Sequence, residues 1–210
     1  MSQAIIIRDR HSGFTMIEVL VSLIVIVLGL LGLAGLQARM NQVEFESYQR
    51  AQALVLLYDI VDRINYNRAT ASCFAITTNA TNGTPYYGEG SNPLPACGAS
   101  VVAHQLMANA AMTEWDNALK GAAETKGGVA VGAMVGARGC VSYDAATEVV
   151  DSLGAAISGT GIYTVVVAWQ GQGEVLAPAA ACANGLYGAV ATGDRLRRAV
   201  STTFRLAKLS

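Results

Sequence analysis

The clearest candidate for chemistry is Glu18, a carboxylate inside an otherwise apolar run. Between Phe14 and Leu36 the strongly polar residues are Thr15, Glu18 and Ser22. An unpaired charge in hydrocarbon costs at least about 2.5 to 3.5 kcal/mol, so an acid here needs a cation or a place near the interface. In the first case Glu18 binds a partner, whereas in the second it only favours the positive end of its own helix dipole.

The cysteines form a second candidate set. They are separated by 24, 43 and 42 residues, and the chain has no C-x-x-C motif; they are Cys73, Cys97, Cys140 and Cys182. Zinc-ribbon and thioredoxin-like sites therefore lack their signature. Outside the cytoplasm we expect two disulfides, for which three pairings are open, with free buried cysteines as the alternative.

Other residue patterns argue against catalysis and nucleic-acid binding. The two histidines are His11 and His104, and we expect His104 to be a surface or capping residue. No G-x-S-x-G elbow, metal-ligand cluster or phosphate loop is present, and "GVAVGAMVGARG" does not match G-x-G-x-x-G. With 14 Lys+Arg against 15 Asp+Glu there is no basic footprint. We predict a protein that is not an enzyme, with no cofactor, metal or nucleic acid.

The apolar run has the length of a membrane span. Its 23 residues, 14–36, would form a helix of roughly 34 Å, against a hydrocarbon core of about 30 Å. Arg8 and Arg10 precede it, which favours a cytoplasmic N-terminus and an extracytoplasmic remainder. A secretory signal peptide is the alternative, but its apolar region is shorter and ends at a small-residue cleavage site, which is missing here.

Helical periodicity continues beyond the apolar run. No Pro or Gly lies between residues 36 and 82, which predicts one helix over about residues 14–67. We expect its second half to be amphipathic and to be covered along one stripe. That stripe has alternating spacings of three and four and consists of Leu36, Met40, Val43, Ser47, Ala51, Leu54, Tyr58, Val61 and Asn65.

The remaining chain alternates loop, helix and strand signals. We predict a surface loop after residue 67, in which Tyr86 and Tyr87 could form a contact surface, and a second helix over about 101–120. Strands are predicted at residues 128–143, 161–170 and about 197–206. The fold class is α+β, with a long helix on an antiparallel sheet of three or four strands.

Several stretches of the chain resemble one known superfamily. "GFTMIEVLV", after a short charged leader, resembles the processing and methylation signature of type IV pilins and of type II secretion pseudopilins. The spacing of Gly29, Gly32 and Gly35, together with "RGCVSY", "YTVVVAWQG" and "RRAVSTTFRL", is most similar to the PilV minor pilins. The resemblance implies a structural subunit of a pilin-like fold.

The resemblance also implies roles for particular residues. A prepilin peptidase would cut between Gly13 and Phe14 and methylate the new amine of Phe14, and Glu18 would pair with that amine on a neighbouring subunit. The implied domains are a leader (1–13), an apolar assembly helix (14–36), an amphipathic helix (37–67) and an extracytoplasmic head (68–210). We favour disulfides Cys73–Cys97, pinning the loop after the helix, and Cys140–Cys182, which the resemblance also suggests.

Three functions stay open from the sequence. The first is a minor pilin that primes pilus assembly and hence supports adhesion or twitching. Its expected partners are other minor and major pilins and possibly a tip adhesin. It would sit in the inner membrane, with a periplasmic head, before reaching the surface pilus. The second is a minor type II secretion pseudopilin, and the third is a binding module or periplasmic enzyme on a membrane tether.

Overall fold

The computed structural model describes residues 13–99, 101–122, 125–130, 134–188 and 193–207. Within these residues, three α-helices and six strands follow one another. The helices are α1 (Met16–Tyr66), α2 (Ala71–Phe74) and α3 (Val102–Leu119). The strands are β1 (Tyr87–Gly88), β2 (Thr125–Lys126), β3 (Val129–Ala130), β4 (Arg138–Asp144), β5 (Ile162–Gln170) and β6 (Arg197–Arg205). The predicted α+β class, a long helix with a small antiparallel sheet, is confirmed.

The chain divides into two compact units at Glu44 and Phe45. The first unit contains the apolar part of α1. The second contains the rest of α1, both short helical turns at Arg68–Thr70 and Ala145–Thr147, and all strands. The sequence predicted a helix of this length because neither Pro nor Gly interrupts its second half, and the helix ends one residue before Asn67.

The buried face of α1 differs from the predicted stripe. Within the second unit the buried residues are Gln49, Ala53, Leu57, Ile60 and Ile64. Ala51, Leu54 and Tyr58, which we expected to be covered, are exposed, Tyr58 at 59%. Both sets recur every three or four residues, so the period fits either face. Packing against α3 and the sheet decides which face of α1 is buried, because their side chains share one core with the buried set.

The main sheet has the strand order β1-β4-β5-β6, with every pair antiparallel. Alternation along the strands places Val141, Tyr163, Val165 and Val167 in the core with α1 and α3. The fourth strand, β1, comes from the segment that we predicted as a loop. The predicted strand 128–143 is wrong as one element: β3 and β4 are separate, and residues 131–133 lie outside the described residues.

Trp115 of α3 fixes the helix against β1 and β4. Its Nε1–H donates to the carbonyl of Leu56 at 2.9 Å, and its ring meets Tyr87 edge-on at 4.9 Å between centroids. A Cβ at Gly139 of β4 would lie 2.2 Å from the Trp115 ring, so only glycine fits there. Tyr87 is fully buried and donates to the carbonyl of Phe74, so our prediction of a contact surface is wrong for this residue.

Candidate assembly site on the N-terminal helix

Thr15 caps the N-terminus of α1. The Thr15 hydroxyl accepts a hydrogen bond from the backbone N–H of Glu18 at 3.3 Å, and the Thr15 carbonyl accepts from the same N–H at 3.1 Å. Thr-x-x-Glu is the pattern of a capping box, and it satisfies backbone donors that a helix start leaves free. Glu18 is thereby held in the first turn, where its charge complements the positive end of the helix dipole.

The residues around the expected cleavage site precede the helix. Gly13, Phe14 and Thr15 have no regular structure, α1 begins at Met16, and the Phe14 side chain is 84% exposed. The bond between Gly13 and Phe14 therefore lies in accessible, non-helical backbone. Residues 1–12, including His11 and most of the leader, lie outside the described residues.

The apolar part of α1 is exposed throughout. All residues from 14 to 36 are classed as exposed, and α1 contains a stretch long and apolar enough to cross a membrane. A Cβ built at Gly29, Gly32 or Gly35 would meet nothing within 4 Å, so these glycines leave a narrow open strip. Such a strip lets another helix approach closely.

The structure brings the four cysteines together as two disulfides, Cys73–Cys97 and Cys140–Cys182. The first joins the residue before the end of α2 to the segment that leads into α3. The second joins the middle of β4 to the loop around Cys182. These are the partners that the sequence analysis favoured among three pairings.

A buried ion pair, which the sequence analysis did not find, organises the loop around Cys182. The Arg197 guanidinium and the Asp194 carboxylate form a salt bridge, and their side chains are only 3% and 5% exposed. The Arg197 guanidinium also donates to the carbonyls of Pro178 at 3.0 Å, Ala180, and Cys182 at 3.3 Å. Asp194 accepts from the N–H of Tyr187 at 2.9 Å. In the sequence, the one sign of this ion pair is that Asp194 lies three residues before Arg197, which begins a predicted strand.

A hydroxyl-rich cleft of 680 Å³ lies over the sheet face that points away from α1 and α3. It is lined in part by Ser142, Thr164 and Ser201, one from each of the three long strands, and by Thr77 and Thr78. The Cys140–Cys182 disulfide forms part of its wall. The lining is dominated by neutral hydroxyl and small side chains, with no nucleophile–base pair among the residues described.

The loop between β4 and β5 is held by a phenol and a carboxylate. The Tyr143 hydroxyl donates to Glu148 and accepts from the N–H groups of Gly159 and Gly161, each at 3.0 Å. The hydrogen bond from Tyr143 and a second one from the Gly159 N–H lower the pKa of Glu148 below its ordinary value. Burial and the bond to Glu148 raise the pKa of Tyr143.

His104 lies near the start of α3 and is exposed, as expected for a surface residue. Within residues 13–99, 101–122, 125–130, 134–188 and 193–207, no three His, Cys, Asp or Glu side chains cluster as metal ligands. Tyr86 is partly exposed and stacks on Arg138, whose guanidinium is 5.5 Å from its ring centroid.

Comparison with known proteins locates one family signature. Residues 8–34 match the family model described as the prokaryotic N-terminal methylation motif. The match covers 27 of the 210 residues, which are the end of the leader and the apolar part of α1. A search among curated proteins and solved structures finds no match for the chain. The chain therefore carries a prepilin-type signal, which supports the type IV pilin and pseudopilin superfamily and a membrane-anchored, structural class of protein.

Proposed function

We propose that this protein is a minor pilin of a type IV pilus, similar to the PilV group, that enters the fibre through α1. The observation that carries the proposal is the methylation motif at residues 8–34, which coincides with an exposed apolar helix capped at Thr15. A mere membrane tether needs neither a methylation motif nor an acid in its first turn.

Processing would create the cation that Glu18 lacks. In the proposal, prepilin peptidase cuts between Gly13 and Phe14, and the new amine of Phe14 is methylated. Both residues lie in exposed backbone before the helix, which suits a peptidase that must bind an extended segment. A free α-amine has a reference pKa of about 7.7 to 8.0, so it is mostly cationic at neutral pH.

Pairing between subunits would stabilise the Glu18 carboxylate where it lies in hydrocarbon or between helices. In the proposal, the Glu18 carboxylate of one subunit binds the Phe14 amine of its neighbour. Two charges about 4 Å apart gain about 4 kcal/mol at an effective dielectric of 20, which is comparable with the insertion cost of about 2.5 to 3.5 kcal/mol. The pair therefore roughly offsets the cost of the acid and sets the axial register of the subunits.

The rest of α1 supplies two surfaces for neighbouring subunits. The strip at Gly29, Gly32 and Gly35 is open to a second helix. Farther along, Leu54 and Tyr58 remain exposed although they belong to a regular apolar stripe. In the proposal, neighbouring pilins cover these surfaces, and the subunit helps to prime assembly and thereby adhesion or twitching.

The two disulfides support an extracytoplasmic location for residues 68–210. Disulfides persist in the periplasm and at the cell surface but are rare in the cytoplasm. The proposed path runs from the inner membrane, with the N-terminus in the cytoplasm and the head in the periplasm, to the surface pilus. The proposed partners are prepilin peptidase, other minor and major pilins, and a tip adhesin.

Intact-mass analysis of protein extracted from membranes and from sheared pili tests this proposal. The expected species begins at Phe14 and is heavier than the cut chain by one methyl group. In parallel, Glu18→Ala should insert into the membrane but fail to reach pili. Ser22→Ala is the matched control, because Ser22 lies one turn farther along and, among the described residues, its hydroxyl donates only to the Val19 carbonyl, at 2.8 Å. Normal pilus incorporation of Glu18→Ala would refute the pairing.

A minor pseudopilin of type II secretion is the second candidate, because the matched motif occurs in both kinds of subunit. The same fractionation separates the two. Recovery from pili supports the pilin, whereas loss of protein secretion with unchanged pili in a strain lacking this chain supports the pseudopilin.

A further inference from the structure

The outer edge of the main sheet is formed by β6, whose backbone groups alternate in direction. The Gly171 N–H donates to the Leu196 carbonyl at 2.8 Å, whereas the Gln170 N–H donates away from β6, to Val135 at 2.8 Å. Strands β5 and β6 keep one antiparallel register over nine consecutive residue pairs. Alternation therefore turns the backbone groups of Val200, Thr202 and Phe204 toward β5.

The intervening residues of β6 turn their backbone groups away from the sheet. These residues are Ala199, Ser201, Thr203 and Arg205, and none of their backbone groups has a partner among the described residues. Ser201, Thr203 and Arg205 are exposed. The open edge is thus four N–H and C=O pairs long, comparable with a typical strand.

The stretch of this edge between Arg198 and Arg205 lacks the devices that usually prevent strand pairing. Between Arg198 and Arg205 the sequence is A-V-S-T-T-F, which is uncharged, contains no proline and is rich in residues that favour strands. The unbroken register excludes a bulge in β6. Sheet edges are normally blunted by charges, prolines or bulges, so an unprotected edge is a template for another strand.

The positive charge of Arg205, at the end of β6, determines which kind of strand can pair with this edge. Arg205 donates to the carbonyls of Thr147 at 2.6 Å and Thr160 at 3.1 Å and forms no ion pair within the described part of the chain. A second copy paired antiparallel about Thr202 would place Arg205 opposite Ala199 and leave it without a counter-charge, and parallel pairing would align like arginines. A strand with a carboxylate near Arg205 supplies that counter-charge.

We propose that β6 is a docking edge for an extended segment of another protein, which pairs with residues 199–205 and carries an acidic residue opposite Arg205. The added strand hydrogen-bonds to the outward backbone groups and extends the sheet to five strands. Its side chains on the outer face border the hydroxyl-rich cleft at Ser201. Strand addition at β6 is independent of incorporation through α1.

Peptide binding to the full-length protein in detergent tests the docking edge. The probes are fluorescent peptides of about nine residues, alternating Thr and Val, with Glu at the N-terminus for antiparallel pairing or at the C-terminus for parallel pairing. Matched peptides carry Lys in the same places. We expect one Glu peptide to bind about two- to fivefold more tightly than its Lys counterpart, and Arg205→Glu to reverse that preference.

Substitutions at Ser201 separate backbone pairing from side-chain contact. Ser201→Pro removes an outward N–H that β5 does not use, and we expect it to weaken peptide binding by at least about tenfold. Ser201→Ala keeps the N–H and should bind as the wild type does. Unchanged binding by Ser201→Pro, no saturable binding of any peptide, or concentration-dependent dimers in which the second copy fills the edge would each overturn the proposal.

If Ser201→Pro fails to fold, hydrogen exchange of the wild-type protein still tests strand addition. In the wild-type protein the amides of Ala199, Ser201 and Thr203 should exchange rapidly when free and become protected when the peptide is bound. The amides of Val200 and Thr202 should be protected in both states. Protection unchanged by the peptide contradicts strand addition, whatever the result for α1 and the pilus.

Discussion

Replacing Arg197 with Met should be among the most destabilising single changes in the second unit. The Arg197 side chain is 3% exposed, is paired with Asp194, and reaches three carbonyls and the Asn184 side chain. The methionine would leave the Asp194 carboxylate buried without a counter-charge. Breaking a buried pair in this way costs about 3 to 5 kcal/mol, so the free energy of unfolding should fall by that amount.

Adjacent residues provide the matched control. Arg198 pairs with Glu46 of α1 at 3.0 Å, but the Glu46 side chain is 38% exposed, so Arg198→Met should cost only about 0 to 1 kcal/mol. Adding Asp194→Asn to Arg197→Met removes the stranded charge and should restore part of the loss. Asparagine suits this position because residue 194 has a φ of 63°, which Asn tolerates.

Urea unfolding of the full chain in detergent measures these effects. Both tryptophans, Trp115 and Trp169, are buried in the second unit, so their fluorescence reports its unfolding and not that of the apolar helix. The expected order of stability is wild type, Arg198→Met, the double variant and then Arg197→Met. If the two single variants had equal unfolding free energies, the buried Arg197–Asp194 ion pair and its contacts with the loop around Cys182 would not be a principal source of stability.

The remaining predictions concern the core, the disulfides and one pH-dependent loop. Gly139→Ala should lower the free energy of unfolding by about 1 to 3 kcal/mol, because the new Cβ meets the Trp115 ring at 2.2 Å, whereas alanine at Gly173, which has open space, should be neutral in the same urea assay. Replacing both cysteines of a disulfide by serine should lower the free energy of unfolding by about 3.5 kcal/mol for Cys73–Cys97 and by about 4 kcal/mol for Cys140–Cys182, which closes the longer loop. A reductant opens both disulfides of the wild type, so it should cause a loss near the sum of the two, and no loss would contradict the prediction. Because folding lowers the pKa of Glu148, its contribution is present above the ordinary carboxyl value of 4.5 and is lost as pH falls through the lowered pKa, so the protection factor of the Gly159 amide, which is its exchange rate corrected for the intrinsic rate at each pH, should fall in acid. Tyr143→Phe should weaken that acid dependence by removing the main cause of the shift, and an unchanged profile would show that the hydrogen bond does not control the loop.

Local signals were sufficient for the elements that depend on neighbouring residues. The apolar run predicted a helix from about residue 14, two residues before α1 begins at Met16, and the lack of Pro and Gly predicted its length. The strands predicted at residues 161–170 and about 197–206 match β5 and β6 within a residue of each end. These features are determined by contacts within a few residues, which the sequence displays directly.

Distant contacts explain the errors. The second half of α1 has two sets of residues with helical spacing, and nothing in their period says which one the core will cover. Tyr87 lies in a segment rich in loop residues. It forms part of a buried strand because its backbone pairs with β4 and its ring packs against Trp115. The contacts of the Arg197 guanidinium likewise need backbone carbonyls that lie 15 to 19 residues away along the chain.

The sequence by itself determined the candidate assembly site: the Gly13–Phe14 pair, the Thr-x-x-Glu pattern and an apolar span with Glu18 as its one acid are all written in residues 13–36. Tertiary structure decided which helix face is buried, how the loop around Cys182 is held and which strand is left at the edge. The physical reason is range. Capping and hydropathy act over one or two turns, whereas burial and strand pairing depend on residues that only folding brings together.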